Sequence, residues 1–110
     1  MPAFSTPAPK LGTVGKLQYC GAFSASWNVI EYPVGSLPVT TVQENETIFE
    51  DEYEDFYTKN IRSTLKGSAG LPVGVQIAAI PRKEEKILYI MKELEREIDF
   101  RGKYKCPILK

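Results

Sequence analysis

The chain has 110 residues, of which 43% are apolar and 25% are charged, as in an ordinary soluble globular domain. Its 14 basic and 14 acidic side chains cancel, so its net charge gives no reason to expect nucleic acid or an anionic membrane as a partner. Because histidine is absent, these residues alone cannot build a Ser-His-Asp or Cys-His catalytic arrangement or the usual zinc site.

Targeting signals and cysteine usage point to an intracellular protein. No apolar run approaches the ~18 to 20 residues of a membrane span, and the N-terminus lacks the pattern of a secretory signal. Cys20 and Cys106 lie near opposite ends of the chain, and we expect both to be free thiols. We therefore expect a cytoplasmic or peripherally membrane-associated protein. Because phosphate-binding glycine loops and metal-ligand clusters are absent from the sequence, we expect neither a cofactor nor a metal.

The first third of the chain predicts an irregular lead-in, a short helix and a strand. Three prolines and two glycines among residues 1–15 argue for an extended start. Residues 22–30 have apolar side chains at helical spacing, and Tyr32-Pro33 should end that helix. Residues 37–42 are rich in valine and threonine and predict a strand.

The middle of the chain predicts an acidic loop followed by an aromatic helix. Thr47 and Glu50 fit a capping box, so the helix should begin near residue 50 and run to about Lys66, with Gly67 after its end. Acidic residues should crowd its first turns, where the helix dipole favours negative charge. Its large apolar side chains should share one stripe: Phe49, Tyr53, Phe56, Tyr57 and Ile61.

The apolar stretch 70–80 predicts the strand around which the chain is organised. It is entered through Gly-Leu-Pro, is left through Ile80-Pro81, and contains a glycine where a neighbouring backbone must approach closely. A strand so apolar is typically buried on both faces and needs packing partners on both sides. A helix is expected at residues 83–98 and should fold back over the sheet. Its buried stripe should consist of Ile87, Leu88, Met91, Leu94 and Ile98.

Two of these segments carry a resemblance to a known family. Residues 70–79 resemble the GLPVG-Q segment of the amidase signature family, and residues 28–40 resemble the strand that precedes it. The amino-acid sequence of the earlier segment, with Tyr-Pro-Val-Gly and Pro-Val-Thr, is most similar to that of the fatty acid amide hydrolase branch. The resemblance implies an α/β fold class, with mixed-sheet strands and covering helices. Residues 1–98 would be the C-terminal part of an amidase-signature domain, incomplete as an isolated domain. Independently of the resemblance, helical periodicity is lost from Phe100 onward and Pro107 disfavours a helix, so we expect residues 99–110 to form a basic, poorly ordered tail.

The resemblance also implies a mechanism whose catalytic residues are missing from this chain. Enzymes of the family use a serine nucleophile, a bridging serine and a lysine base, carried by a Gly-Ser-rich segment and an upstream lysine. Neither feature occurs in these 110 residues. The resemblance therefore implies no catalytic residue here and no activity of the chain alone.

By position, the resemblance assigns five residues to the wall of a substrate channel. Gly21 and Ala25 match channel-lining residues on the short helix, and Tyr53, Phe56 and Tyr57 match residues that line the acyl-chain and entry passages. The two small residues replace bulkier ones, and the two tyrosines replace less polar aromatic residues. This predicts a wider or more polar channel, with ordinary repacking of the side chains as the alternative.

Three functions are compatible with these residues. The favoured one is a fragment of an amidase-signature hydrolase that acts on fatty acid amides when intact, and that uses this fragment as core sheet and acyl-channel wall. The second is a non-catalytic interaction protein, or one half of a split amidase that docks on a partner chain carrying the catalytic half. The third is a segment of a small-amide amidase or of a glutamine amidotransferase A-type subunit. None of them involves nucleic acid or a transmembrane segment.

Overall fold

A computed structural model describes residues 1–104 and shows helices packed around a small sheet. Two 3₁₀ segments lie at Val14–Gly21 and Glu44–Glu46. The helices and strands, in chain order, are α1 (Ala22–Val29), β1 (Val34–Thr41), α2 (Phe56–Leu65), β2 (Pro72–Ala78), α3 (Glu84–Ile98) and α4 (Phe100–Lys103). This mixture of helix and strand is compatible with the predicted α/β class. Within residues 1–104 no helix has the length and apolar character needed to cross a bilayer.

β1 and β2 form an antiparallel pair in which Leu37 lies opposite Val75. The register shifts between Pro38 and Thr40, as expected where a proline cannot donate to the ladder. A Cβ on Gly74 would lie 3.3 Å from the Leu37 carbonyl oxygen, which confirms the close backbone approach predicted for a glycine in this strand. The described part of the chain contains no parallel pairing, so the mixed sheet stays a prediction for a longer chain.

The outer edge of β2 is occupied by the chain's own N-terminus. The Met1 carbonyl accepts a hydrogen bond from the Gln76 N–H at 2.7 Å, and the Ala3 N–H donates to the Gly74 carbonyl at 3.2 Å. Between these two hydrogen bonds, Pro2 and Val75 form an isolated antiparallel bridge. The lead-in predicted as extended therefore begins as a very short third element of the sheet.

α3 packs against β1 through its buried stripe. Ile87 is buried, and a Cβ on Gly35 of β1 would lie only 2.8 Å from Ile87 Cγ2 and would also collide with the Met91 side chain. The glycine therefore lets the helix approach the sheet closely. The prediction for Leu88 is wrong: this side chain lies about 100° around the helix from Ile87 and is 64% exposed.

α2 begins later than predicted. The side chain of Asp55 caps its N-terminus by accepting a hydrogen bond from the Thr58 N–H at 2.8 Å. A capping box forms instead at the short 3₁₀ segment, where the Gln43 N–H donates to the Glu46 carboxylate at 2.8 Å. Two members of the predicted aromatic stripe therefore lie outside the helix, and the acidic run precedes α2 rather than filling its first turns.

The chain has a small core and a large surface. Its fully buried apolar side chains, among the described residues, are Leu17, Leu37, Val42 and Ile87. Its accessible surface is 8421 Å², against roughly 6,100 Å² for a compact monomer of 12.4 kDa. Its radius of gyration is 15.7 Å, against roughly 13 Å for a compact domain of this length. Within β2 only Gln76 is buried, so the prediction of a strand buried on both faces is wrong for this chain by itself.

The C-terminal region is described in part. Asp99, with a φ of 46°, separates α3 from α4, and the Phe100 and Tyr104 ring centroids are 4.8 Å apart. Cys20 is a half-buried free thiol, as predicted. The predictions for Cys106 and for the end of the basic tail fall outside the described residues.

Candidate functional site

The five residues assigned to a channel wall lie in two parts of the structure. Gly21 ends the first 3₁₀ segment and Ala25 lies in α1. Tyr53 precedes α2, whereas Phe56 and Tyr57 open its first turn. The two parts meet because the first 3₁₀ segment packs against α2.

Three rings, those of Tyr19, Phe56 and Tyr57, form what we call the aromatic cluster. The Tyr19 and Tyr57 ring centroids are 5.5 Å apart with an interplanar angle of 80°, and those of Phe56 and Tyr57 are 5.6 Å apart at 83°. These are edge-to-face contacts, an arrangement that aromatic rings favour. All three rings remain exposed. The cluster therefore presents apolar ring surface and phenol groups to its surroundings.

Tyr57 is the electrostatically perturbed member of the aromatic cluster. Partial desolvation and the neighbouring Tyr19 hydroxyl raise the pKa of Tyr57 above the ordinary phenol value. The phenol therefore stays protonated at neutral pH, where it can donate or accept a hydrogen bond but does not supply an anionic base.

Arg62 holds the loop that carries Tyr53 against α2. Its guanidinium donates to the Glu54 carboxylate at 2.6 Å and to the backbone carbonyls of Asp51 at 2.5 Å and Tyr53 at 3.4 Å. The hydrogen bond and charge of Arg62 lower the pKa of Glu54 below the ordinary carboxyl value. Sequence reasoning missed this role, because a single arginine that reaches back to an acidic loop carries no spacing signal.

Neither Gly21 nor Ala25 takes part in the ring contacts of the aromatic cluster. Tyr19 precedes Gly21 by two residues in the same 3₁₀ segment. A Cβ on Gly21 would lie 3.5 Å from the Phe4 ring, which is an ordinary contact distance. Ala25 is exposed one helical turn further along α1. The structure thus places Gly21 against Phe4 and leaves Ala25 exposed on α1.

An apolar cleft of about 390 Å³ lies between residues 3–9 and the start of β2. None of the five predicted wall residues lines it. In residues 1–104, no three His, Cys, Asp or Glu side chains are grouped in a way that could hold a metal ion. The candidate site is therefore an exposed surface around the aromatic cluster and not an enclosed pocket.

Two known proteins that match the chain are amidase-signature enzymes. The chain is 35% identical over 95 residues, or 83% of its length, to Fatty-acid amide hydrolase 1 of Sus scrofa. It is 34% identical over 98 residues, or 86% of its length, to Fatty acid amide hydrolase 1 of Caenorhabditis elegans. The family resemblance is confirmed: the chain is homologous to a segment of amidase-signature enzymes, and its relatives are fatty-acid amide hydrolases. No family model matches the chain.

The match covers a small part of these relatives. The chain spans 16% of the length of the Sus scrofa protein and 17% of the Caenorhabditis elegans protein. The activity that their names describe is therefore that of proteins several times longer than this chain of 110 residues.

Proposed function

We propose that the chain is the C-terminal portion of an amidase-signature hydrolase that acts on fatty acid amides when intact. In this proposal it supplies sheet strands and part of the acyl-channel wall, while the serine nucleophile, the bridging serine and the lysine base lie outside these 110 residues. The observation that carries the proposal is the match to two fatty-acid amide hydrolases over more than four fifths of the chain. The excess surface supports it, since the rest of a longer enzyme would cover the exposed apolar side chains.

The chain alone should not hydrolyse amides, because the nucleophile and its base are missing. We expect no release of ammonia or amine from a long-chain fatty acid amide above the rate in buffer. The Sus scrofa hydrolase, assayed at the same concentration, is the positive control. Hydrolysis by the purified chain would overturn the placement of the catalytic residues in another segment.

The channel role can be tested by exchanging segments. A chimera in which this chain replaces the matched segment of the Sus scrofa hydrolase should retain amide hydrolysis. In that chimera, Gly21→Leu should raise KM for long-chain amides more than for short-chain amides, because the added side chain narrows the passage. Gly15→Leu is the matched control, since no atom lies within 4 Å of its missing Cβ.

Two results would contradict the channel role. A folded but inactive chimera would show that the segments are not equivalent. An active chimera whose chain-length preference is the same with and without Gly21→Leu would remove this residue from the wall. In the second case the Ala25 and Tyr57 positions would need the same test before the wall is abandoned.

A second function, docking on a partner chain, is favoured by the size of the surface. The accessible area exceeds that expected for a compact monomer by roughly 2,300 Å², which is comparable with the area buried in stable protein interfaces. The partner in this case would be a separate chain bearing the serine and lysine residues. Co-purification with such a chain would support docking. Light scattering that reports a monomer at every concentration, with no bound chain, would argue against it.

A further inference from the structure

One buried polar side chain, that of Gln76, joins three separate parts of the fold. It lies in β2 and is 7% exposed. Its Nε2 donates to the carbonyl oxygen of Ala3 in the N-terminal segment at 3.0 Å and to the hydroxyl of Ser24 in α1 at 2.6 Å. The Ser24 hydroxyl donates in turn to the same Ala3 carbonyl at 2.9 Å. The three hydrogen bonds form a closed ring that links strand, helix and N-terminal segment.

This ring determines the orientation of the amide. A backbone carbonyl can only accept, so the Gln76 atom that faces Ala3 must be Nε2 with its two hydrogens. Gln76 Oε1 then points away from the ring and is buried without a hydrogen-bond partner among residues 1–104. A buried polar atom without a partner is destabilising. An apolar side chain would avoid that penalty, so the amide is explained by the two bonds that it donates.

The other contacts of α1 are local: it packs against the preceding 3₁₀ segment, and its Trp27 ring stacks on Tyr32, with ring centroids 6.1 Å apart. None of its eight residues is buried, and a helix of this length is not stable by itself in water. A further tie to the N-terminal segment is the Trp27 indole N–H, which lies 3.0 Å from the Met1 sulfur. The position of α1 therefore depends on the N-terminal segment and on Gln76.

We propose that Gln76 is the positioning residue for α1. Its hydrogen bonds fix α1 relative to β2 and the N-terminal segment and thereby place Gly21 and Ala25, which lie three residues before and one residue after Ser24. The consequence for substrate rests on the proposed function, in which these two residues line the acyl channel. The positioning itself concerns only the described residues and can be tested without substrate.

The variant that tests this is Gln76→Glu, which replaces a double donor by an acceptor of the same shape. At pH 7 the introduced carboxylate cannot donate to Ala3 or Ser24. We expect the backbone amides of α1 to exchange hydrogen about tenfold faster or more, with the amides of α3 unchanged. The fluorescence of Trp27, the single tryptophan of the chain, should report the same loosening.

Acid should reverse the effect of Gln76→Glu. Burial beside carbonyl and hydroxyl oxygens raises the pKa of the introduced carboxyl, so lowering the pH restores a donor and α1 docks again. The charged group that faces Gln76 is the amino group of Met1, which donates to the Gln76 carbonyl at 3.2 Å. Ser24 on α1 and Ser36, opposite Gln76 on β1, carry no group that titrates in this range.

Two further variants keep the proposal falsifiable. Gln18→Glu makes the same change at an exposed position of the first 3₁₀ segment and should leave Trp27 fluorescence independent of pH. Ser24→Ala removes two of the three hydrogen bonds of the ring and leaves the one from Gln76 to the Ala3 carbonyl. This variant carries the test if Gln76→Glu does not fold, and we expect its α1 amides to exchange roughly threefold faster. In Gln76→Glu and in Ser24→Ala, the amides of α3 should exchange at the rate of the unmodified chain.

Three outcomes would overturn the positioning role. They are equal acceleration of α1 and α3, unchanged exchange of α1 in the Ser24→Ala chain, and a folded Gln76→Glu chain whose fluorescence does not recover in acid. If α1 loosens as expected while the chain-length preference of the chimera is unchanged by Gly21→Leu, the positioning role stands and Gly21 is removed from the proposed channel wall.

Discussion

The half of the molecule built from β1, β2 and α3 is stabilised differently from the half built from the first 3₁₀ segment and α2. In the former, a glycine at Gly35 brings Ile87 into direct contact with the sheet. In the latter, the rings of the aromatic cluster meet edge to face but stay exposed, and one arginine holds the preceding loop. The difference teaches that the two halves treat their large side chains differently. The second half buries Leu17 but leaves the three rings of the aromatic cluster exposed and open to further contacts.

The largest effect should come from the sheet half. Ile87→Ala removes a buried side chain from the contact between α3 and β1, and we expect it to lower the free energy of unfolding by about 2–4 kcal/mol. Urea denaturation followed by circular dichroism measures this. Leu88→Ala, one position further along α3 and exposed, should change it by less than about 0.5 kcal/mol. Equal losses in the two variants would contradict the assignment of the buried face.

Overpacking the same contact should have the next largest effect. Gly35→Ala places a Cβ against Ile87 and Met91, and we expect it to lower the free energy of unfolding by about 1–3 kcal/mol. Gly15→Ala, where the space is open, should be close to neutral. Met91→Ala added to Gly35→Ala should recover part of the loss, because the two positions share one contact. Strictly additive losses would argue against a direct clash.

In the other half, the helix cap should have a local effect. Asp55→Ala leaves the Thr58 N–H without its acceptor, so the Thr58 amide should exchange hydrogen faster, whereas Asp55→Asn keeps an acceptor and should preserve protection. The hydrogen bond from the Thr58 N–H lowers the pKa of Asp55. Its contribution is therefore present above the ordinary aspartate pKa and is lost as the pH falls through the lowered value. A protection factor of the Thr58 amide that stays constant in the unmodified chain as the pH falls through the lowered Asp55 pKa would contradict this.

The smallest effect should come from the loop held by Arg62. Arg62→Met removes the hydrogen bond and charge that lower the pKa of Glu54, so the pKa of Glu54 should rise toward its ordinary value in an NMR titration. Lys59→Met should raise it less, since the Lys59 ammonium lies 3.8 Å from the carboxylate. Stability should change little because this ion pair is exposed. A larger rise of the Glu54 pKa in Lys59→Met than in Arg62→Met would contradict the assignment of Arg62 as the main partner.

Elements with strong local patterns were predicted well. The helix expected at residues 83–98 is observed at Glu84–Ile98, and the strand expected within 70–80 is observed at Pro72–Ala78. Gly67 follows the end of α2 with a φ of 79°, as a helix-ending glycine should. These successes share one reason: the periodicity of side chains and the preferences of glycine and proline act over a few neighbouring residues.

Elements whose ends depend on competing caps were predicted poorly. Residues 43–55 contain several side chains able to cap a helix, and the choice of Asp55 for α2 was not evident from spacing. The prediction that Leu88 is buried was also wrong. Periodicity shows that a helix has an apolar face but not how much of that face the sheet covers. For the candidate site, the sequence pointed to Phe56 and Tyr57 but did not reveal their contact with Tyr19.

By itself, the sequence determined α1, β1, β2 and α3 to within a few residues, and two segments of it carried the resemblance to amidase-signature enzymes. Only the tertiary structure decided that the N-terminus lies along β2, that Gln76 joins it to α1, and that Arg62 holds the loop before α2. The physical reason is separation along the chain. Local patterns set backbone preferences over a few residues, whereas these contacts join residues that are far apart in sequence and depend on how the elements pack.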